Sequence, residues 1–521
     1  MKQKKNNKRN LTRREFIGAS ASFAAFTIVP RYVLGGTGRP APSDRLNIAG
    51  IGVGGQGRDD LIDAALNNNV VALCDVDENM AGATYVEFPK AKLYKDFRNL
   101  LDREKNIDAV TIAVPDHMHA TAALMAMERG INVYLEAPLA QTVWEARLLT
   151  KAAAKYKVAT QMGNQGYSSE ATRIVCEVIE AGDIGEVTEV YAWNNGGFTN
   201  SVTRWPAAEK IPDTLQWNLW LGRVQQRDYS SQVCPYEWRG YQNFGSGSLG
   251  DWGIHIMGAA HWALKLGSPV ATQCLWVDGR NEVSYAAGAM IKYEFAARAT
   301  MPPVKIYWYG GTLARRLDVS TLISMVDSRQ TQAEDPNTPT DTDSGTNAGI
   351  SIGRGRGGRG QVTPQGQRQG QAAQEQPKWQ GQSRGQGVPF VPFGLTEQKL
   401  TGFNQIFVGT KGYLCTGGKG ESVTLFPRSR LEGYKLPKPS LARSPGHMDD
   451  WLQACKSPGR QSCSNFSVSG PYAEWVLLGN IAEKFGDRLE WDPENLRFTN
   501  NDKANEYIKP QCRQGWEIKD I

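Results

Sequence analysis

Gly52-Val53-Gly54-Gly55-Gln56-Gly57 lies between an apolar run, Leu46 to Ile51, and a helical pattern, Asp59 to Leu66; a second apolar run, Val70 to Cys74, then ends in Asp75. Strand, glycine turn, helix, strand and acid, in that order, predict a dinucleotide-binding βαβ unit. Gly52 allows the tight turn, Gly54 lets the backbone approach a pyrophosphate, and Gly57 lets the helix pack close to the strand. Gly55 and Gln56 complete the turn and open the helix. The N-terminus of that helix offers unpaired N–H groups and partial positive charge to phosphates. Asp75 stands where a carboxylate accepts hydrogen bonds from a ribose diol. No basic residue flanks it, which favours NAD over NADP.

Outward from this unit, apolar runs at Ala109–Val114, Val133–Leu135 and Ala159–Met162 alternate with helical patterns. Continuous apolar strands are the signature of a parallel sheet buried on both faces. From Asn164 the texture changes. A helix is expected from Ser169 to Ala181, then strand-like runs at Val187–Trp193, Gln273–Val277, Ala287–Phe295 and Val304–Trp308. Leu400 to Leu414 is strand-like again, and Pro471 to Phe485 reads as an apolar helix. The expected fold class is α/β: an N-terminal Rossmann parallel-sheet domain over residues 45–162, then a C-terminal α+β domain over 163–521 with a large open, mostly antiparallel sheet. Residues 329–388 are rich in Gly, Gln, Arg, Thr and Ser and carry an RGG-like stretch, Gly353 to Gly360. Such composition cannot bury enough surface to offset its ordering entropy, so a disordered insertion is expected there.

The 521 residues carry 59 Lys and Arg against 53 Asp and Glu, a net charge of +6. Residues 1–40 hold nine of the bases and one acid; the remainder has 50 bases and 52 acids. The basic character therefore belongs to the leader and gives no support for a nucleic-acid partner. Lys2, Lys4, Lys5, Lys8 and Arg9 precede Thr12-Arg13-Arg14-Glu15-Phe16-Ile17 and an apolar segment to Val29. This leader resembles a twin-arginine (Tat) export signal. It implies use of the Tat translocon, folding before export and a periplasmic location. No clear small-x-small cleavage site follows, so an uncleaved leader acting as an anchor stays open. None of the eight cysteines forms a C-x-x-C pair, which argues against structural zinc. Cys455 and Cys463 are the closest-spaced disulfide candidates, but several buried free thiols are the expectation.

Chemistry is expected where strands end. Pro115-Asp116-His117-Met118-His119 follows one strand, which brings Pro115 and His119 to the cofactor crevice. Leu135-Glu136-Ala137-Pro138 follows the next and brings Glu136 there. Gln161 to Tyr167 sits at the domain crossover. Gly250-Asp251-Trp252-Gly253-Ile254-His255 spaces a carboxylate and an imidazole four residues apart, on one face if helical. His255 is the expected acid/base, Asp251 its support, and Tyr167 and His119 are further catalytic candidates. No second histidine has H-x-x-x-H spacing to His255, so no metal is expected.

The order of these motifs resembles the glucose–fructose oxidoreductase/inositol dehydrogenase (Gfo/Idh/MocA) family, and in particular its exported bacterial members. Leu215 to Gly222 and Gly446-His447-Met448 add to the match. The resemblance implies an NAD(P)-dependent oxidoreductase acting on a sugar or cyclitol, assembled as a homo-oligomer through the open sheet face. It implies that Gly52, Gly54 and Gly57 hold the pyrophosphate, Asp75 the ribose, and Asp251 and His255 the substrate hydroxyl. The chain departs from the pattern at Ala137, where the family usually has a lysine, and at Gly258, where relatives often have Asp. Ala137 offers neither charge nor proton. Two alternatives follow: a redox-neutral NAD-dependent glycosidase, for which Asn164-Gln165-Gly166-Tyr167 has a matching Asn-x-x-Tyr spacing, or a non-catalytic sugar-binding relative.

Overall fold

The computed structural model describes residues 44–196, 202–316, 402–426 and 433–521. The leader and the 329–388 insertion lie outside the described residues.

The first sheet is parallel throughout. Its strands are β1 (Asn47–Ile51), β2 (Asn69–Cys74), β3 (Lys92–Tyr94), β4 (Ala109–Ile112), β5 (Asn132–Glu136) and β6 (Thr160–Gly163), in the order β3-β2-β1-β4-β5-β6. Helices α1 (Gln56–Ala65), α2 (Glu78–Glu87), α3 (Phe97–Arg103), α4 (Asp116–Met127) and α5 (Val143–Tyr156) make the crossovers. The strand order reverses between β1 and β4. The carboxyl ends of β1, β4 and β5 therefore open on one crevice, the usual ligand position in such sheets. Strands β1 and β4 are apolar and almost wholly buried because helices cover both faces. Helix α5 begins with a reciprocal cap: Thr142 Oγ1 accepts from the Glu145 N–H, and Glu145 accepts from the Thr142 N–H.

The second sheet has nine strands. β7 (Val187–Asn194), β8 (Ala271–Asp278), β9 (Gly288–Phe295), β10 (Val304–Gly310), β11 (Gln405–Gly409), β12 (Gly412–Thr416), β13 (Val423–Phe426), β14 (Arg488–Asp492) and β15 (Arg497–Phe498) run in the order β13-β12-β11-β7-β10-β9-β8-β14-β15. Only the β7–β10 pair is parallel. Helices α6 (Glu170–Glu180), α7 (Gly258–Ala263), α8 (His447–Lys456) and α9 (Phe466–Phe485) complete the domain. Trp475 of α9 packs edge-on against Tyr293 and Phe295 of β9 and joins helix to sheet. α9 begins five residues before the expected start at Pro471, because Asn465 caps it by accepting from the Ser467 N–H. Gly470 is where α9 meets α5: a Cβ there would lie 1.8 Å from Thr150 Oγ1. All eight cysteines are free, Cys455 and Cys463 included.

Candidate active site

The glycine turn is shaped by contacts a side chain would break. Gly52 has φ +74°, and a Cβ on Gly57 would sit 1.9 Å from the Gly52 carbonyl oxygen. Those two glycines hold turn and helix together, as expected. Gly54 differs from its expected role: its Cβ position faces Met80 of α2 at 2.9 Å, so the missing side chain admits a helix of the protein. Gly55, at φ +53°, has nothing within 4 Å of its Cβ position and caps α1 towards open space. Gln56 is exposed and donates to Asp60 at 2.9 Å.

Asp75 ties the turn to the end of β2. Its Oδ2 accepts from the Val53 N–H and its Oδ1 from the Asp77 N–H, both at 2.9 Å. Each oxygen keeps acceptor capacity for a ribose hydroxyl. Burial nevertheless raises its pKa. Asp77 and Glu78 follow, and Lys95 is occupied by Glu78 at 2.5 Å. A 2′-phosphate would meet carboxylates here. The open N-terminus of α1, the Gly52–Gly57 turn and Asp75 thus fit NAD, and fit NADP poorly.

His119 is buried, with Nδ1 2.7 Å from the Pro138 carbonyl and Nε2 2.8 Å from the Val114 carbonyl. It clamps the ends of β4 and β5 together, and burial lowers its pKa. Sequence reasoning placed it near the reacting centre; in the structure it positions the strand ends and the Pro115 turn. Asp116, overlooked in the sequence, accepts from Ser246 Oγ at 2.6 Å, and burial pushes its pKa up to about 7. His117 packs edge-on against Phe244, 5.1 Å between ring centroids, in an aromatic lobe that includes Trp217 and Trp220.

At the end of β5, Glu136 accepts from Gln165 Nε2 and from the Ala137 N–H, each at 3.0 Å. The space it fills is left by Gly163, whose Cβ would lie 2.4 Å from Glu136 Oε1. Asp60 of α1 lies beside it. Burial and the neighbouring carboxylate raise the Asp60 pKa, and burial raises that of Glu136 to about 7. Two carboxyls side by side hold one proton between them more readily than none. Asp60 was missed, although a signal was present: it shares the buried stripe of α1 with Gly57, Leu61 and Ala64.

The Asp251–His255 segment is not a plain α-helix. Leu249–Gly253 forms one wider π turn and Ile254–Ile256 a short α-turn after it. Such turns recur at functional sites. In this geometry no hydrogen bond joins Asp251 to His255. Asp251 instead faces Arg239, with Nε to Oδ1 3.8 Å. Arg239 stacks over Trp238 at 4.3 Å and Tyr236 at 4.6 Å. Burial raises the Asp251 pKa to about 6 against the pull of Arg239. Burial lowers that of His255 to about 3, assisted by Lys419, and its Nδ1 has no hydrogen-bond partner. Lys419, from the loop between β12 and β13, was also missed; its Nζ lies 5.6 Å from the Trp252 ring.

Tyr167, expected as a candidate base, is 4% exposed. It stacks on Trp262 at 5.0 Å, and burial drives its pKa well up. Gly258 explains the position: a Cβ there would lie 3.2 Å from the Tyr167 ring, so the small residue admits the ring into the core. Asn164 is likewise turned inward, accepting from Ser464 Oγ at 2.6 Å. The Asn164–Tyr167 spacing thus yields packing and not a second acid/base.

A parallel sheet with a glycine-turn nucleotide cradle, joined to a mixed sheet domain that carries Asp251, His255 and Lys419, defines a two-domain scaffold with a Rossmann nucleotide-binding unit. The chain matches the Gfo/Idh/MocA oxidoreductase NAD-binding Rossmann fold over residues 46–164 and that family's C-terminal α/β domain over 174–297. Residues 46–164 and 174–297 thus resemble the two domains of this family. A glycosyl hydrolase family 109 protein of Stenotrophomonas maltophilia is 35% identical over 145 residues, 24% of this chain and 29% of that protein. Levoglucosan dehydrogenase of Pseudarthrobacter phenanthrenivorans is 26% identical over 198 residues, 37% and 43% of the two chains. Inositol 2-dehydrogenase/D-chiro-inositol 3-dehydrogenase of Lacticaseibacillus casei is 32% identical over 140 residues, 26% and 40%. The chain thus spans less than half the length of these relatives. The WlbA dehydrogenase of Bordetella pertussis, solved with NADH and UDP-GlcNAcA, shares the fold at TM-score 0.51 and 11% identity, over 86% of this chain and 99% of that one.

Proposed function

We propose that the protein is an exported NAD-dependent oxidoreductase that oxidises or reduces a hydroxyl-bearing carbon of a sugar or sugar derivative. The observation that carries the reading is that Asp251, with a raised pKa, and His255, whose Nδ1 has no hydrogen-bond partner, lie in the field of the same Lys419 that acts on Glu136 at the end of β5. The turn from Gly52 to Gly57, the start of α1 and Asp75 would hold the dinucleotide. Bound NAD supplies the acceptor for the hydride that leaves the carbinol carbon as its C–O bond becomes C=O.

The residues of the chain handle the proton. A base works best when its pKa lies near the working pH. Asp251, at about 6, meets that condition in its ionised form, whereas His255, at about 3, is a weak base. Asp251 therefore takes the hydroxyl proton, and neutral His255 positions the oxygen by hydrogen bonding. This reverses the roles expected from sequence. The half-exposed ring of Tyr236 beside Arg239 offers a flat apolar face of the kind sugar rings stack on.

Redox-neutral glycoside cleavage is the second reading, favoured by the family 109 relative and by Ala137. The test supplies NAD+ with a panel of aldoses, inositols and anhydrosugars, and separately aryl glycosides without added nucleotide. Stoichiometric NADH supports the dehydrogenase; aglycone release without net NADH supports the glycosidase. Neither product would leave the sugar-binding relative. Export rests on the leader around Arg13 and Arg14, and self-association on the family resemblance.

A further inference from the structure

The β12–β13 loop reads Gly417-Gly418-Lys419-Gly420-Glu421, one cation among three glycines. Those glycines let the loop press on the domain crossover. A Cβ on Gly420, at φ +66°, would lie 2.5 Å from Ser169 Oγ, and one on Gly418 3.5 Å from Ile256. Gly166 answers from the other side, its Cβ position 2.7 Å from the Lys419 carbonyl oxygen. The Lys419 N–H donates to Glu421 at 2.6 Å, which fixes the loop backbone. The half-buried lysine side chain then runs into the crevice, over the Trp252 ring.

Its charge is felt on three sides. Glu136 at the end of β5, Asp251 in the π turn and His255 after it all lie within its field. Arg239, the other cation near Asp251, is stacked on the Tyr236 and Trp238 rings. Ala137, next to Glu136, contributes no charge.

We propose that Lys419 is a catalytic residue of this site, its ammonium stabilising the negative charge that develops on the sugar oxygen as the hydroxyl proton leaves for Asp251. The inference rests on the oxidoreductase reading. A cation preorganised in a half-buried crevice acts where charge develops and needs no reorganisation during the reaction.

Two measurements on the full-length protein test it. In the first, lysines are trace-acetylated with and without saturating NAD+ and read by mass spectrometry. Lys419 is expected to be protected by NAD+, whereas Lys210, whose side chain is 85% exposed, is not. Equal labelling of Lys419 with and without NAD+ overturns the assignment whether or not any sugar is turned over, so this result is separable from failure of the oxidoreductase reading. In the second, Lys419→Met is expected to lower kcat by about 10²-fold with KM for NAD+ little changed. Lys419→Arg should retain much of the rate. The double variant Lys419→Met/Ala137→Lys should recover part of it by supplying an ammonium beside Glu136. A Lys419→Met enzyme with wild-type kcat overturns the proposal.

Discussion

The carboxyl groups of Asp60, buried, and Glu136, half-buried, meet at the junction of α1 and β5, both with raised pKa values. One comes from the helix after the glycine turn, the other from the strand end that faces the substrate. The helix that opens at the glycine turn and the end of β5 thus bring two carboxyls with raised pKa values together.

This pair makes stability pH-dependent. An acid whose folded pKa is raised above its unfolded value contributes stability that is complete below the unfolded pKa and is lost as pH rises through the folded one. For Glu136 the window runs from about 4.5 to about 7. The thermal midpoint of the wild type should fall as pH rises across that window. Asp60→Asn removes one of the two carboxyls with a raised pKa and should flatten the decline, an effect on the order of 1–2 kcal/mol. Parallel pH dependences for the two proteins would contradict the pairing.

The glycine contacts separate shape from space. Gly57→Ala drives a Cβ into the Gly52 carbonyl and should abolish the thermal stabilisation given by NAD+. Gly82→Ala, on exposed space in α2 with nothing within 4 Å, should leave it intact. The measurement is the midpoint shift on adding NAD+.

Role reversal between Asp251 and His255 has a kinetic signature. With Asp251 as base, the kcat profile for sugar oxidation should rise through a pKa near 6 and level off above it. Asp251→Asn should remove that limb and lower kcat by about 10²–10⁴-fold. His255→Asn should keep the limb and act mainly on KM for the sugar. A limb that persists in Asp251→Asn and vanishes in His255→Asn would restore the order expected from sequence.

The leader gives an independent test of location. Replacing Arg13 and Arg14 together by lysine should leave the protein in the cytoplasmic fraction, whereas the wild-type chain should be recovered from the periplasm or its membrane face. Equal fractionation of both would rule out twin-arginine export.

How far the sequence could be read follows from the range of its signals. Gly52, Gly57 and Asp75 act within one βαβ unit, so their spacing alone carried both fold and cofactor. The antiparallel sheet was legible as strand texture, but its order, with β11 beside β7, depends on pairing between distant segments. Local spacing misled at Asp251–His255, because an α-helical face was assumed where a π turn stands. It misled at Tyr167, because Gly258 opens a core position for that ring. Lys419 comes to Glu136 only through the packing of a loop from the far side of the second sheet, and no local pattern announces that. The buried stripe of α1 was legible, yet an acid on it carries meaning only once Glu136 is placed opposite.

The most direct measurement of the central claim follows NADH while the purified protein is given NAD+ and sugars in turn, with aryl glycosides as a parallel series. NADH equal to the sugar oxidised is expected for at least one substrate, with its loss in Asp251→Asn. Release of aglycone with no net NADH, or no turnover of any sugar by a protein that binds NAD, would contradict it.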